Sequence, residues 1–220
     1  QYLSTSKSVQ SPQSYPSSIM GTLSLLEQMY IDADWYAKGN VTTTDLSLEA
    51  LNRNKGQFQI MVSADRFNAL RTDKVGDKFG VQYVFVGSGD EYERLNEVKA
   101  TNGTFILPIN FPKPYDVEDV FTAQALELST LRKWNQSPAN PKMLREAGVP
   151  FAITMNGHKS AKDFFQHLRQ AVAYGLDKES ALAALTQVPA NILGQSSKLG
   201  NLKAGAYANF IVTSGDIFDD

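Results

Sequence analysis

Cysteine is absent from all 220 residues. Disulfides, thiolate zinc sites and thiol nucleophiles are thereby excluded, while the compartment stays open, since secreted and cytosolic proteins alike can lack cysteine. Charge of one sign is also missing: 21 Lys and Arg stand against 23 Asp and Glu, a net charge of −2 without a polybasic run. Nucleic acid and anionic membrane surfaces are poor partners for such a chain. No apolar run approaches the roughly 20 residues of a membrane helix. Histidine is scarce, with His158 and His167 the only two and no His-x-His pair. A dinucleotide fingerprint fails as well: "GSGDEY" offers two glycines and then an acid where a pyrophosphate would lie. The chain opens without an initiator Met or signal peptide, on the Ser-rich stretch "QYLSTSKSVQSPQSYPSS". Residues 1–16 read as a polar, internal loop, and the chain as a segment of a longer polypeptide.

What is present is an ordinary globular composition, 42% hydrophobic with 12 Phe and 9 Tyr, enough to build a sizeable core. Ser17 can cap a helix from about Ile19 to Lys38, whose apolar residues recur at three- and four-residue spacing and which Gly39-Asn40 ends. A shorter helix follows around Asp45 to Asn54. A repeating pattern then begins, with apolar strands predicted near residues 58–63, 82–87, 104–109 and 150–155, each followed by an amphipathic helix. That alternation implies an α/β fold with a parallel sheet and helical crossovers. The long connection after the third strand carries Pro112, Pro114, Pro138 and Pro141 around one helix predicted near Ala123–Asn135. "DKESALAALTQVPANILG" reads as a helix, and Ala208–Thr213 as a strand in the tail.

The closing segment "YGLDKESALAALTQVPANILGQSSKLGNLKAGAYANFIVTSGDIF" resembles that of the amidohydrolase superfamily, especially its imidazolonepropionase-like branch. In that family a helix with this "ALxALTxxPAxxLG" pattern follows the eighth barrel strand, and the tail returns to a small β-sandwich. The resemblance extends backwards: "FQIMVSADRFNALRTDKVGDKFGVQYVFVGSGDEYERL" is similar to the fifth and sixth strands with their helices, and "VPFAITMNG" to the eighth. It implies a partial TIM-type (β/α)8 barrel of about the last four units over residues 17–195. Residues 196–220 would then return to a composite β-sandwich.

Active members of the family hydrolyse non-peptide C–N bonds with zinc or another divalent metal. Their ligands sit at the C-terminal ends of strands, where a barrel presents its chemistry. Matched residue by residue, a His on the fifth strand, a His on the sixth and an Asp on the eighth are replaced here by Ser63, Gly89 and Asn156. A hydroxyl is a poor zinc donor, glycine brings no side chain, and an amide is neither anionic nor basic. The resemblance therefore implies a degenerate, non-catalytic copy with no metal or other cofactor of its own. Its expected partner is the missing N-terminal half of the polypeptide or a second, active amidohydrolase copy, with a homodimer also possible.

Asp65, Asp90, Glu91 and His158 are further candidates for the mouth, although acids in a first helical turn also stabilise helix N-termini without any ligand. Asn156-Gly157 is a favourable turn pair. Ser63 is expected to hydrogen-bond locally to backbone, and His167 to pack or face solvent. Two other functions stay open. One is a working hydrolase completed by upstream residues, acting on cyclic amides. The other is a carbohydrate- or peptide-binding module using Tyr92, Tyr115, Phe111 and Trp134 as stacking surfaces.

Overall fold

The computed structural model describes residues 1–6, 14–39 and 43–219, so residues 7–13 of the expected polar loop and Asn40 lie outside the described residues. The chain divides into two compact units, Gln1–Gly87 and Ser88–Asp220.

In the first unit, β1 (Tyr2–Ser4), β2 (Gln59–Val62) and β3 (Tyr83–Val86) form a parallel ladder, with Ile60 opposite both Tyr2 and Val84. A strand thus stands within the stretch read as a polar loop. Three residues, exposed at both ends, carry no alternation long enough to announce it; the β2 edge supplies its hydrogen bonds. Helices α1 (Ile19–Ala37), α2 (Leu46–Asn54) and α3 (Arg66–Phe79) complete the unit. The cap of α1 is Ser18 rather than Ser17: its side chain accepts from the Gly21 N–H. Leu23, Tyr30 and Ala33 form the buried stripe of α1, and α1 packs on α2 and α3.

Both β2 and β3 alternate in burial. Gln59, Met61, Tyr83 and Phe85 are buried, while Ile60, Val62, Val84 and Val86 are only partly so. The expected continuous apolar strands therefore present one covered face and one partly open apolar face. Each large side chain on the covered face contributes about 1.5–3 kcal/mol through burial. Between α1 and β3, the hydroxyls of Tyr30 and Tyr83 meet at 2.9 Å, a buried hydrogen bond.

In the second unit, β4 (Thr104–Pro108) and β5 (Phe151–Thr154) pair in parallel, with Phe105 opposite Phe151 and Leu107 opposite Ile153. A short 3-10 turn at Glu91–Arg94 leads into α4 (Leu95–Ala100). The connection after β4 holds α5 (Val120–Ala125) and α6 (Leu128–Gln136) where one helix was expected. Leu126 and Glu127 both take extended backbone, which interrupts the helical ladder. Pro138 and Pro141 open helical turns rather than close one, the second at the start of α7 (Asn140–Ala147). Proline fits there because a first-turn N–H has no intrahelical partner to lose.

After β5, α8 (Ala161–Ala173) buries Phe164, Leu168 and Ala171. α9 (Lys178–Leu185) and α10 (Gln187–Ile192) follow, split at Thr186 from what reads as one helix. The expected strand Ala208–Thr213 does not form: these residues carry no regular structure, and Ile211 and Val212 are 73% and 86% exposed. A strand needs an edge to satisfy its donors and acceptors, and among the described residues none lies beside it.

Candidate functional site

β2 ends at Ser63, whose N–H donates to the Val86 carbonyl at 3.0 Å. Its hydroxyl is buried and, among the described residues, has no hydrogen-bond partner, so the expected local backbone bond is not made. The ladder fixes the backbone N–H and leaves the side chain without a group in reach. Asp65, two residues on, is the N-cap of α3 and accepts from the Asn68 N–H at 2.8 Å. That carboxylate serves the helix.

In the second unit, Gly89 takes φ +84°, a left-handed conformation that side-chain-bearing residues rarely adopt. Around it lies a clasp. Glu91 is 1% exposed and accepts from Ser88 N–H at 2.7 Å, Gly89 N–H at 3.2 Å and the Asn140 amide at 2.7 Å. Asn140 in turn accepts from the Tyr92 N–H at 2.9 Å, and the Ser88 hydroxyl donates to Asp90. Burial pushes the Glu91 carboxyl above its ordinary value, against the lowering effect of these hydrogen bonds. Asp90 and Glu91 thus hold the loop in shape. Sequence reading missed Asn140, because its partner Glu91 lies 49 residues away.

Beyond β5, Met155-Asn156-Gly157-His158 is a turn closed by the His158 N–H donating to the Met155 carbonyl at 3.1 Å. Gly157 has φ +87°, and a Cβ there would stand 2.8 Å from the Asn110 side chain. Asn156 is exposed in this turn, as its turn chemistry suggests. His158 does not stand alone: its Nε2 lies 3.0 Å from Nδ1 of His167 on α8, and its Nδ1 lies 3.2 Å from the Met155 carbonyl. His167, expected to pack or face solvent, pairs with it and also meets the Phe111 ring edge to face. Burial first, and the neighbouring His158 second, hold the His167 imidazole below its ordinary pKa.

The histidine pair lines a cleft of about 1080 Å³ between α8 and the segment after β4, with Phe111 and Trp134 among its walls. A smaller cleft of about 360 Å³ adjoins it across Asn110, Phe111 and Pro112 and reaches Gly89 and Tyr115. Of the proposed stacking residues, Phe111 and Trp134 therefore converge on one cleft, and Phe111 and Tyr115 on the other. Among the described residues no three His, Asp or Glu side chains gather as a metal site. No helix among them is long and apolar enough to cross a membrane.

Parallel strands whose polar ends turn into helices, with clefts beside those ends, place the protein in the class of α/β barrel folds. The chain belongs to the amidohydrolase family, whose profile matches residues 89–220. Over 81 residues, 36% of this chain and 8% of the relative, it is 33% identical to the amidohydrolase tasK of Hapsidospora irregularis. In fold it is similar to an amidohydrolase from Thermotoga maritima, with TM-score 0.71 and 21% identity over 93% of this chain and 53% of that one. A prolidase crystallised with N-methylphosphonate-L-proline is similar at TM-score 0.52 and 17% identity, covering 78% of this chain and 41% of that one. The chain thus spans about half the length of these solved proteins, and a small part of the curated relative.

Proposed function

We propose that this chain is an amidohydrolase-like domain that has lost metal chemistry at its own strand ends and acts as the structural or regulatory partner of an active, metal-dependent copy. The observation that carries the reading is Gly89. Where the family resemblance calls for a histidine, the chain has no side chain at all and a backbone at φ +84° that disfavours one. Ser63 and Asn156 support it, since a buried hydroxyl and an exposed turn amide are weak donors for zinc beside imidazole and carboxylate. The partner is a second amidohydrolase copy or the remaining half of a longer polypeptide. The partly open apolar face of β2 and β3 supports association.

A second reading rests on the 33% identity to a protein named as an amidohydrolase. It is a hydrolase of cyclic-amide C–N bonds, imidazolonepropionase-like, whose metal site is completed by residues outside this chain.

Equilibrium dialysis with zinc, followed by assay against simple cyclic amides, separates the two. The expected outcome is sub-stoichiometric zinc and no turnover in the wild type. The triple variant Ser63→His, Gly89→His, Asn156→Asp should gain zinc affinity with little hydrolytic rate, because metal affinity follows the ligand set whereas rate needs the complete site. Stoichiometric zinc in the wild-type chain, lost on His158→Ala, would overturn the non-catalytic reading and favour the hydrolase.

A further inference from the structure

We propose that the larger cleft of the second unit is a binding site for a small organic anion that carries a flat ring, its acid group a carboxylate or a phosphate. Charge is the first ground. The whole chain is slightly acidic, yet this cleft is lined by Lys113, Lys159, Lys162 and Arg169 with Asp163 as its one carboxylate. Among the described residues, Lys113, Lys159 and Lys162 have no ion-pair partner, whereas Lys55, Lys78 and Lys178 elsewhere are paired with carboxylates at 2.6–2.8 Å. A concave wall of one sign focuses the field and raises the local concentration of the opposite charge.

Shape and polarity supply the second ground. At about 1080 Å³ the cleft is at the upper end of the size of small-molecule sites, and Phe111 and Trp134 give it ring surfaces. A neutral sugar would use the rings and leave the ammonium groups idle; a ring-bearing anion uses both. The histidine pair adds no competing negative charge. Its hydrogen bond at 3.0 Å braces the loop after β5, which carries Lys159, against α8, which carries Lys162. Binding here is independent of hydrolysis, so the zinc and turnover measurements neither support nor sink it.

The chain contains two tryptophans, Trp35 and Trp134, and Trp134 lies in the cleft. In a Trp35→Phe background its fluorescence therefore reports the site alone. Titration with 4-nitrobenzoate should give saturable quenching at submillimolar concentration, and the neutral isostere 4-nitrobenzamide should be at least about tenfold weaker. Phenyl phosphate, competing against 4-nitrobenzoate, distinguishes a phosphate preference from a carboxylate one. Charge reversal at two exposed positions, Lys113→Glu with Lys162→Glu, should weaken the anion about tenfold or more and leave the amide unchanged. Raising salt should weaken the anion several-fold without any substitution. Equal binding of anion and amide, unsaturable quenching, or indifference to both charge reversal and salt would overturn the proposal.

Discussion

A buried hydroxyl that finds no partner costs about 1–3 kcal/mol of desolvation, and Ser63 carries one at the end of β2. Ser63→Ala should therefore be neutral or stabilising by about 1 kcal/mol, as read from the midpoint of urea unfolding. A clear loss of stability would mean that the hydroxyl is engaged after all. Asp73 on α3 is also buried, and desolvation, with Asp77 one turn away adding to it, pushes its carboxyl from 3.8 up to about 6. A folded pKa above the unfolded one means that the native state binds more protons between those values. The favourable contribution is thus full below about pH 4 and is lost as pH rises towards 6. Asp73→Asn should flatten the stability profile across that window and raise stability at pH 7 by about 1–3 kcal/mol. The position of Ser63 was legible from the strand pattern and the family resemblance. Its unsatisfied state was not, because that depends on side chains distant in sequence.

At the scale of elements, the caps are written locally, yet the one named from the sequence, Ser17, fell a residue short of the actual cap, Ser18. Asp45, Asp65, Ser160 and Asp177 each accept backbone N–H groups at a helix start. The four strands β2 to β5 were legible from local signals: each is an apolar run bounded by turn residues. The breaks at Leu126–Glu127 and Thr186 were not, since helix propensity continues through both and tertiary packing decides where the ladder stops. Gly76 shows packing overruling propensity in a testable way. In mid-helix, alanine is normally favoured over glycine by about 1 kcal/mol. Here a Cβ would stand 2.4 Å from the Val81 carbonyl oxygen and 2.6 Å from the Tyr83 ring. Backbone cannot yield as a side chain can, so Gly76→Ala should destabilise by about 3 kcal/mol or more, a large fall in melting temperature. An unchanged melting temperature would show that α3 can slide away from β3 at little cost.

For the molecule as a whole, the tail is where family pattern and structure part. The resemblance supplied a strand, but a strand is a property of a pair of edges, and among the described residues none pairs with residues 208–213. Leu202, Tyr207, Phe210, Ile211 and Val212 stand exposed, while Lys178 on α9 holds Asp216 and Asp219 at 2.7 and 2.6 Å. Chymotrypsin should accordingly cut first at Tyr207 or Phe210. Protection there, rising with protein concentration, would show a second copy covering this segment.

Because the chain's two imidazoles share one hydrogen bond, all imidazole carbon-bound proton signals in an NMR spectrum originate from that single contact. Undocking of the turn would break that contact and change the signals of both rings together. The protein thus holds a label-free spectroscopic gauge of whether the turn after β5 is docked on α8, readable without any substitution or probe.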